Sequence, residues 1–99
     1  MVAFGREVVA EMNRCGLMVD LSHAAESSFY DALAASRTPI VCSHASCRAL
    51  CPHPRNLTDA QLRALAEAGG VAHITFYAGF LRNEDDPRPA TLDDAVAHI

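Results

Sequence analysis

The sequence contains no lysine: its 8 basic side chains are all arginine, set against 12 acidic ones for a net charge of −4 over 99 residues. Neither sign forms a long run. The basic face that counterion-driven nucleic-acid binding requires is missing, so no nucleic-acid partner is expected. No apolar stretch approaches the roughly 20 residues of a membrane-spanning helix, so no membrane segment is expected in this chain. The N-terminus, Met1-Val2-Ala3-Phe4-Gly5-Arg6, lacks the charged region and following apolar run of a signal peptide. The compartment is left open by this, with the cytoplasm favoured. Also missing are a Gly-rich phosphate loop after any apolar run, a Gly-x-Ser-x-Gly elbow and a Cys-x2-Cys pair. Nucleotide-phosphate and serine-elbow chemistry therefore have no foothold, and a structural zinc cluster built from Cys42, His44, Cys47, Cys51 and His53 is disfavoured.

What is present is ordinary for a globular chain: 51% apolar and 20% charged residues, enough for one small domain with a modest core. Cys15, Cys42, Cys47 and Cys51 are read as reduced thiols, since no secretory signal accompanies them.

Apolar spacing organises the chain. Phe4, Val8, Val9 and Met12 recur at helical intervals, predicting a helix over 4–14 with Gly16 as its C-cap. Leu17-Met18-Val19-Asp20-Leu21 follows as a nearly continuous apolar run, the pattern of a strand covered on both faces. A second helix is predicted over 24–36, with Phe29, Leu33 and Ala34 toward the core. Thr38-Pro39 breaks it. Ile40-Val41-Cys42 reads as a second strand, and a polar connection leads to Thr58. This threonine caps a third helix, which runs to about Ala68 with Leu62, Leu65 and Ala66 inward. Gly69-Gly70 stops it. A third strand is predicted over 71–76, then a charged loop over 83–89, then a helix capped by Thr91. Strands alternating with helices imply parallel strands joined by crossovers. A barrel takes eight strands and about 250 residues, so three strands read as a piece of a larger parallel α/β fold.

Two histidines occupy matching places in this frame. His23 ends Asp20-Leu21-Ser22-His23 and His44 ends Val41-Cys42-Ser43-His44, each directly after a strand and a serine. The C-terminal edge of a parallel sheet is where α/β enzymes place their sites. Neighbouring strands are about 4.8 Å apart, so two imidazoles from adjacent strand ends can converge on one divalent ion at about 2.1 Å each. Arg55 lies in the loop after the second strand; it is read as a solvated arginine or a partner for Asp59, or as a fork for a carboxylate. His73 is read as a core or interface residue, His53 as loop surface and His98 as helix surface.

The same residues resemble the membrane (renal-type) dipeptidases, zinc dipeptidase family M19. The matching stretches are Phe4-Gly5-Arg6-Glu7-Val8-Val9, Met12-Asn13-Arg14, Asp20-Leu21-Ser22-His23 and Ser43-His44-Ala45-Ser46. They continue through Arg48-Ala49-Leu50-Cys51, His53-Pro54-Arg55-Asn56-Leu57-Thr58-Asp59, Phe76-Tyr77 and Thr91-Leu92-Asp93-Asp94. The resemblance implies a (β/α)8 TIM barrel of the metallo-dependent hydrolase type, with residues 1–99 supplying about three of its βα units. It implies two zinc ions as cofactors and a dipeptide as substrate, with His23 and His44 matching the histidines that bind one zinc. Arg55 matches the arginine that contacts the bound dipeptide, and Tyr77 falls near the pocket. The family's His-x-Asp motif, bridging glutamate, substrate-binding histidine and late acidic residue have no counterpart here. The resemblance therefore implies half a metal site and no complete catalytic set in this chain. Taken alone, the chain is expected to be inactive and to bind zinc weakly. The alternatives are a non-catalytic α/β protein-association domain, or another barrel-type amidohydrolase; a homodimer is among the partnerships considered.

Overall fold

A computed structural model describes all residues from Met1 to Ile99. The first helix, α1, covers Ala3–Arg14. It ends at Gly16, whose φ of 72° is the left-handed conformation that glycine adopts without a Cβ penalty. The amides of Gly16 and Leu17 then bond back to the carbonyls of Asn13 and Met12, satisfying the open end of the helix. Helix α2 covers Glu26–Ala35 and α3 covers Asp59–Glu67. Thr58 caps α3 as expected: its hydroxyl accepts from the Gln61 amide, and the Gln61 side chain accepts from the Thr58 amide. A four-residue helix, α4 (Ala78–Leu81), interrupts the segment after the third apolar run, and α5 (Leu92–Ala97) starts from a second capping box between Thr91 and Asp94.

The strands are shorter than the apolar runs. β1 is Val41–Cys42 and β2 is Val71–Ala72, paired in parallel with Val41 opposite Val71 and Cys42 opposite Ala72. The run over 17–21 contributes a single parallel bridge, Asp20 to Val41, held by Leu21 N–H to the Val41 carbonyl and Val41 N–H to that of Val19. The three parallel segments thus lie side by side in chain order.

Their side chains alternate, as a pleated backbone requires. Val19, Leu21, Ile40 and Cys42 join Val9 of α1, Phe29 and Ala32 of α2, and Leu65 of α3 in one core. Met18, Asp20 and Val71 are exposed. The expectation of strands covered on both faces is therefore corrected: in this chain one face meets the helices and nothing covers the other. The same geometry narrows the buried stripe of each helix. Ala34 and Ala66, expected inward, are exposed, while Ala32 and Gln61 take the buried positions. His73, expected in a core or interface, is exposed. His98, expected on a helix surface, is 4% exposed, because α5 folds against the loop before α3. Its Nδ1 accepts from the Cys47 amide and its Nε2 donates to the Leu81 carbonyl, which gives it a structural role.

Candidate metal centre

The backbone of the first parallel segment ends in a turn at Ser22-His23, and that of β1 in a bend at Ser43-His44. Because the segments are parallel neighbours, both turns emerge at the same edge. The imidazoles meet there: His23 Nε2 lies 2.9 Å from His44 Nε2, with ring centroids 4.9 Å apart and planes at 61°. No third histidine, cysteine, aspartate or glutamate side chain joins them in a cluster of metal-binding geometry.

A polar lattice fixes the two turns to each other. Asp20 Oδ1 accepts from the Ser22 amide at 3.0 Å, the Ser22 hydroxyl at 2.8 Å and the Ser43 amide at 3.2 Å. Asp20 Oδ2 accepts from the Ser43 hydroxyl. The Ser22 hydroxyl in turn accepts from the His44 amide at 3.0 Å, and Ser43 Oγ lies 2.7 Å from His44 Nδ1. Partial burial opposes charge on Asp20, but the donors from Ser43 and Ser22 outweigh it and hold the carboxyl well below the usual carboxylate range.

Arg55 reaches the same edge. Its Nε donates to the Ser22 carbonyl at 3.0 Å, one residue from His23, and it makes no bond to Asp59. The loop that carries it is anchored by buried Asn56, whose side chain accepts from the Ser46 amide and donates to the carbonyls of Cys51 and Phe80. Arg48 adds bonds to the carbonyls of Asn56 and Pro54. The Arg55 guanidinium sits 5.5 Å from the centre of the Phe80 ring, while its Nη2 is shielded from solvent and has no partner. Phe80 also packs on His53, at 4.6 Å between ring centroids, so His53 is half-buried under this shelf rather than on the loop surface. Tyr77 stands edge-on to Phe80 at 5.1 Å and is largely exposed.

The sequence profile of the family described as membrane dipeptidase (peptidase family M19) matches residues 1–99. The chain belongs to the membrane dipeptidase family. Among curated relatives, an uncharacterised dipeptidase of Schizosaccharomyces pombe is 44% identical over 98% of the chain, and a dipeptidase of Claviceps purpurea is 44% identical over 96%. The chain spans only 23% and 22% of their lengths. Among solved structures, an amidohydrolase of Pseudomonas aeruginosa superposes with a TM-score of 0.90 at 39% identity, covering the whole chain and 30% of that protein. A metallopeptidase of Rhodobacter sphaeroides, solved with a phosphinate mimic of the dipeptide L-Ala-D-Ala, superposes with a TM-score of 0.88 at 37% identity over 98% of this chain and 28% of its own. The α/β architecture is thus that of a segment of M19 metallodipeptidases. No helix in the chain is long and apolar enough to cross a membrane, despite the family's name.

Of the four residues singled out in the sequence, the fold brings His23, His44 and Arg55 to one edge. Tyr77 connects to Arg55 only through Phe80. Asp20, Ser22 and Ser43 were not singled out, although the Ser-His repeat after both strands marked two of them.

Proposed function

We propose that this chain supplies one wall of the active site of a zinc dipeptidase whose complete protein is a (β/α)8 barrel, with residues 1–99 forming part of that barrel domain. The observation that carries the reading is the convergence of His23 and His44 Nε2 across 2.9 Å. Two zinc–nitrogen bonds of about 2.1 Å reach easily across that separation, and neutral imidazole is a favoured zinc donor. Catalytic zinc normally takes three protein ligands. A two-histidine set therefore fits half a site, and the family's second zinc and bridging carboxylate complete it from outside this chain.

In this reading His23 and His44 hold one of the two ions. Zinc, when bound, supplies an activated water near neutral pH and polarises the scissile carbonyl. Arg55 orients the substrate. A shielded guanidinium N–H without an acceptor costs about 1–3 kcal/mol, which a carboxylate of a bound dipeptide relieves. The Ser22 carbonyl holds the guanidinium through Nε, so the Nη2 group is kept in one orientation rather than as a mobile charge. This favours dipeptides over amides that lack a carboxylate. Phe80 walls the arginine on its apolar side, and Tyr77 packs edge-on against Phe80.

In the complete protein, His23→Ala or His44→Ala is expected to remove one of the two zinc ions and most dipeptide hydrolysis. Metal analysis beside turnover measures both. Full zinc content in both variants defeats the ligand assignment. The 99-residue chain by itself is expected to hydrolyse no dipeptide and to hold zinc weakly; turnover by the purified chain contradicts that.

A further inference from the structure

The lattice around Asp20 contains a fixed number of hydrogens, and counting them assigns the state of His44. The Ser43 hydroxyl has one hydrogen, and it points at Asp20 Oδ2. Its 2.7 Å contact with His44 Nδ1 therefore needs a hydrogen from the ring, so Nδ1 is the protonated nitrogen and Ser43 Oγ accepts. The Ser22 hydroxyl is committed in the same way: its hydrogen goes to Asp20 Oδ1 and its lone pair to the His44 amide. The 3.4 Å approach of the two serine oxygens is then a contact between two acceptors whose hydrogens both point at one carboxylate. In the neutral ring, a hydrogen on Nδ1 leaves His44 Nε2 as a bare lone pair. In that tautomer the 2.9 Å contact to His23 is met with His23 Nε2–H as the donor.

We propose that Asp20 is a positioning residue which, acting through the Ser43 hydroxyl, locks His44 in the Nδ1–H form and so presents a bare Nε2 to the metal. The proposal rests on the reading of His44 as a zinc ligand. Its physical basis is that a histidine binds metal through the nitrogen opposite the one engaged in a hydrogen bond, and an outer acceptor fixes the ring angle and strengthens the donor. The relay here has an added step, carboxylate to serine to imidazole. Asp20 spans both strand ends, because the donors on it come from Ser22 and Ser43 alike. One carboxylate therefore sets the spacing of the two turns as well as the tautomer of one ring.

The test uses the complete protein. Imidazole-nitrogen NMR of the metal-free form is expected to give His44 a protonated Nδ1 and an unprotonated Nε2. Ser43→Ala removes the relay at an exposed position and should shift His44 toward the Nε2–H form. Its zinc affinity, measured by chelator competition, should fall by about 10- to 100-fold. Ser43→Thr keeps the hydroxyl and should restore both readings. Asp20→Asn frees the Ser43 hydrogen to turn toward Nδ1 and should mimic Ser43→Ala in tautomer and affinity. An Nε2–H form in the native protein, or an unchanged tautomer in Ser43→Ala, overturns the relay whatever zinc does. Unchanged zinc affinity in His44→Ala defeats instead the ligand reading beneath it, a result separable from the first because the NMR measurement needs no metal.

Discussion

A serine precedes each of the two converging histidines, and the two serines do different work. Ser22 ties the His44 backbone to Asp20, whereas Ser43 ties the His44 ring to it. The repeat was plain in the sequence, but the carboxylate that both serines address was not, since Asp20 sat within an apolar run and read as an interruption of it. Asp20 has a second effect at this scale. Cys42 is buried in β1, and burial, with the nearby Asp20 charge adding to it and a backbone bond at Leu21 opposing it, pushes the thiol up to about 11. A thiolate is the reactive form, so at pH 8 Cys42 should resist alkylation while exposed Cys15 is modified. Mass spectrometry of the folded protein after brief maleimide treatment checks this. Labelling of Cys42 as fast as that of Cys15 contradicts it.

At the scale of elements, the helix ends were the most legible features, because a cap is a local arrangement of neighbouring residues. Thr58 with Gln61, Thr91 with Asp94, and Gly16 all do what their types predict. Thr58→Ala should cost about 1 kcal/mol, within a range of roughly 0.5–2, by leaving the first turn of α3 without its side-chain acceptor. A urea titration of the native and substituted proteins measures it, and an unchanged midpoint counts against the cap. The strands were less legible. A run of apolar residues states that a segment can be buried, but ladder length depends on its neighbours, and here the first run makes one bridge only. Helical spacing likewise located α2 and α3 without selecting every residue that turns inward. Ala32 rather than Ala34, and Gln61 rather than Ala66, are buried because a single helical layer covers a single sheet face.

The whole molecule is elongated, 45 × 21 × 19 Å, with a radius of gyration of 14.5 Å against about 13 Å for a compact chain of this length. Only 19 of 99 residues are buried, so much of the chain lies at the surface, its ion pairs included. The main cluster closes the C-terminal part. Arg82 joins Asp86 and Asp94, and Arg88 joins Asp86. The Arg88 side chain holds the Asp86 carboxyl well below its usual range, and the Arg82 side chain lowers that of Asp94. Carboxyls depressed in the folded state stabilise it above the ordinary carboxylate pKa of about 3.9 and lose that contribution as the pH falls through and below that value. Urea midpoints should therefore hold from pH 7 to about pH 5 and then decline toward pH 3. The decline should be shallower in Arg82→Met, and an identical acid limb in that variant rules out this cluster as its source.

The sequence by itself determined the order of helices and strands, the capped ends and the placement of one histidine after each of two strands. These follow from spacing and local hydrogen bonding within a few residues. Residue types that matched a family further indicated Arg55. Only the tertiary structure decided that the two parallel segments are neighbours in register, which places His23 and His44 Nε2 at 2.9 Å. It also decided that Asp20 faces both serines, that Arg55 turns to Ser22 rather than Asp59, and that His98 is buried. Each of these depends on at least one pairing of residues more than 20 positions apart, and such pairings depend on how layers stack, a property that no local pattern encodes.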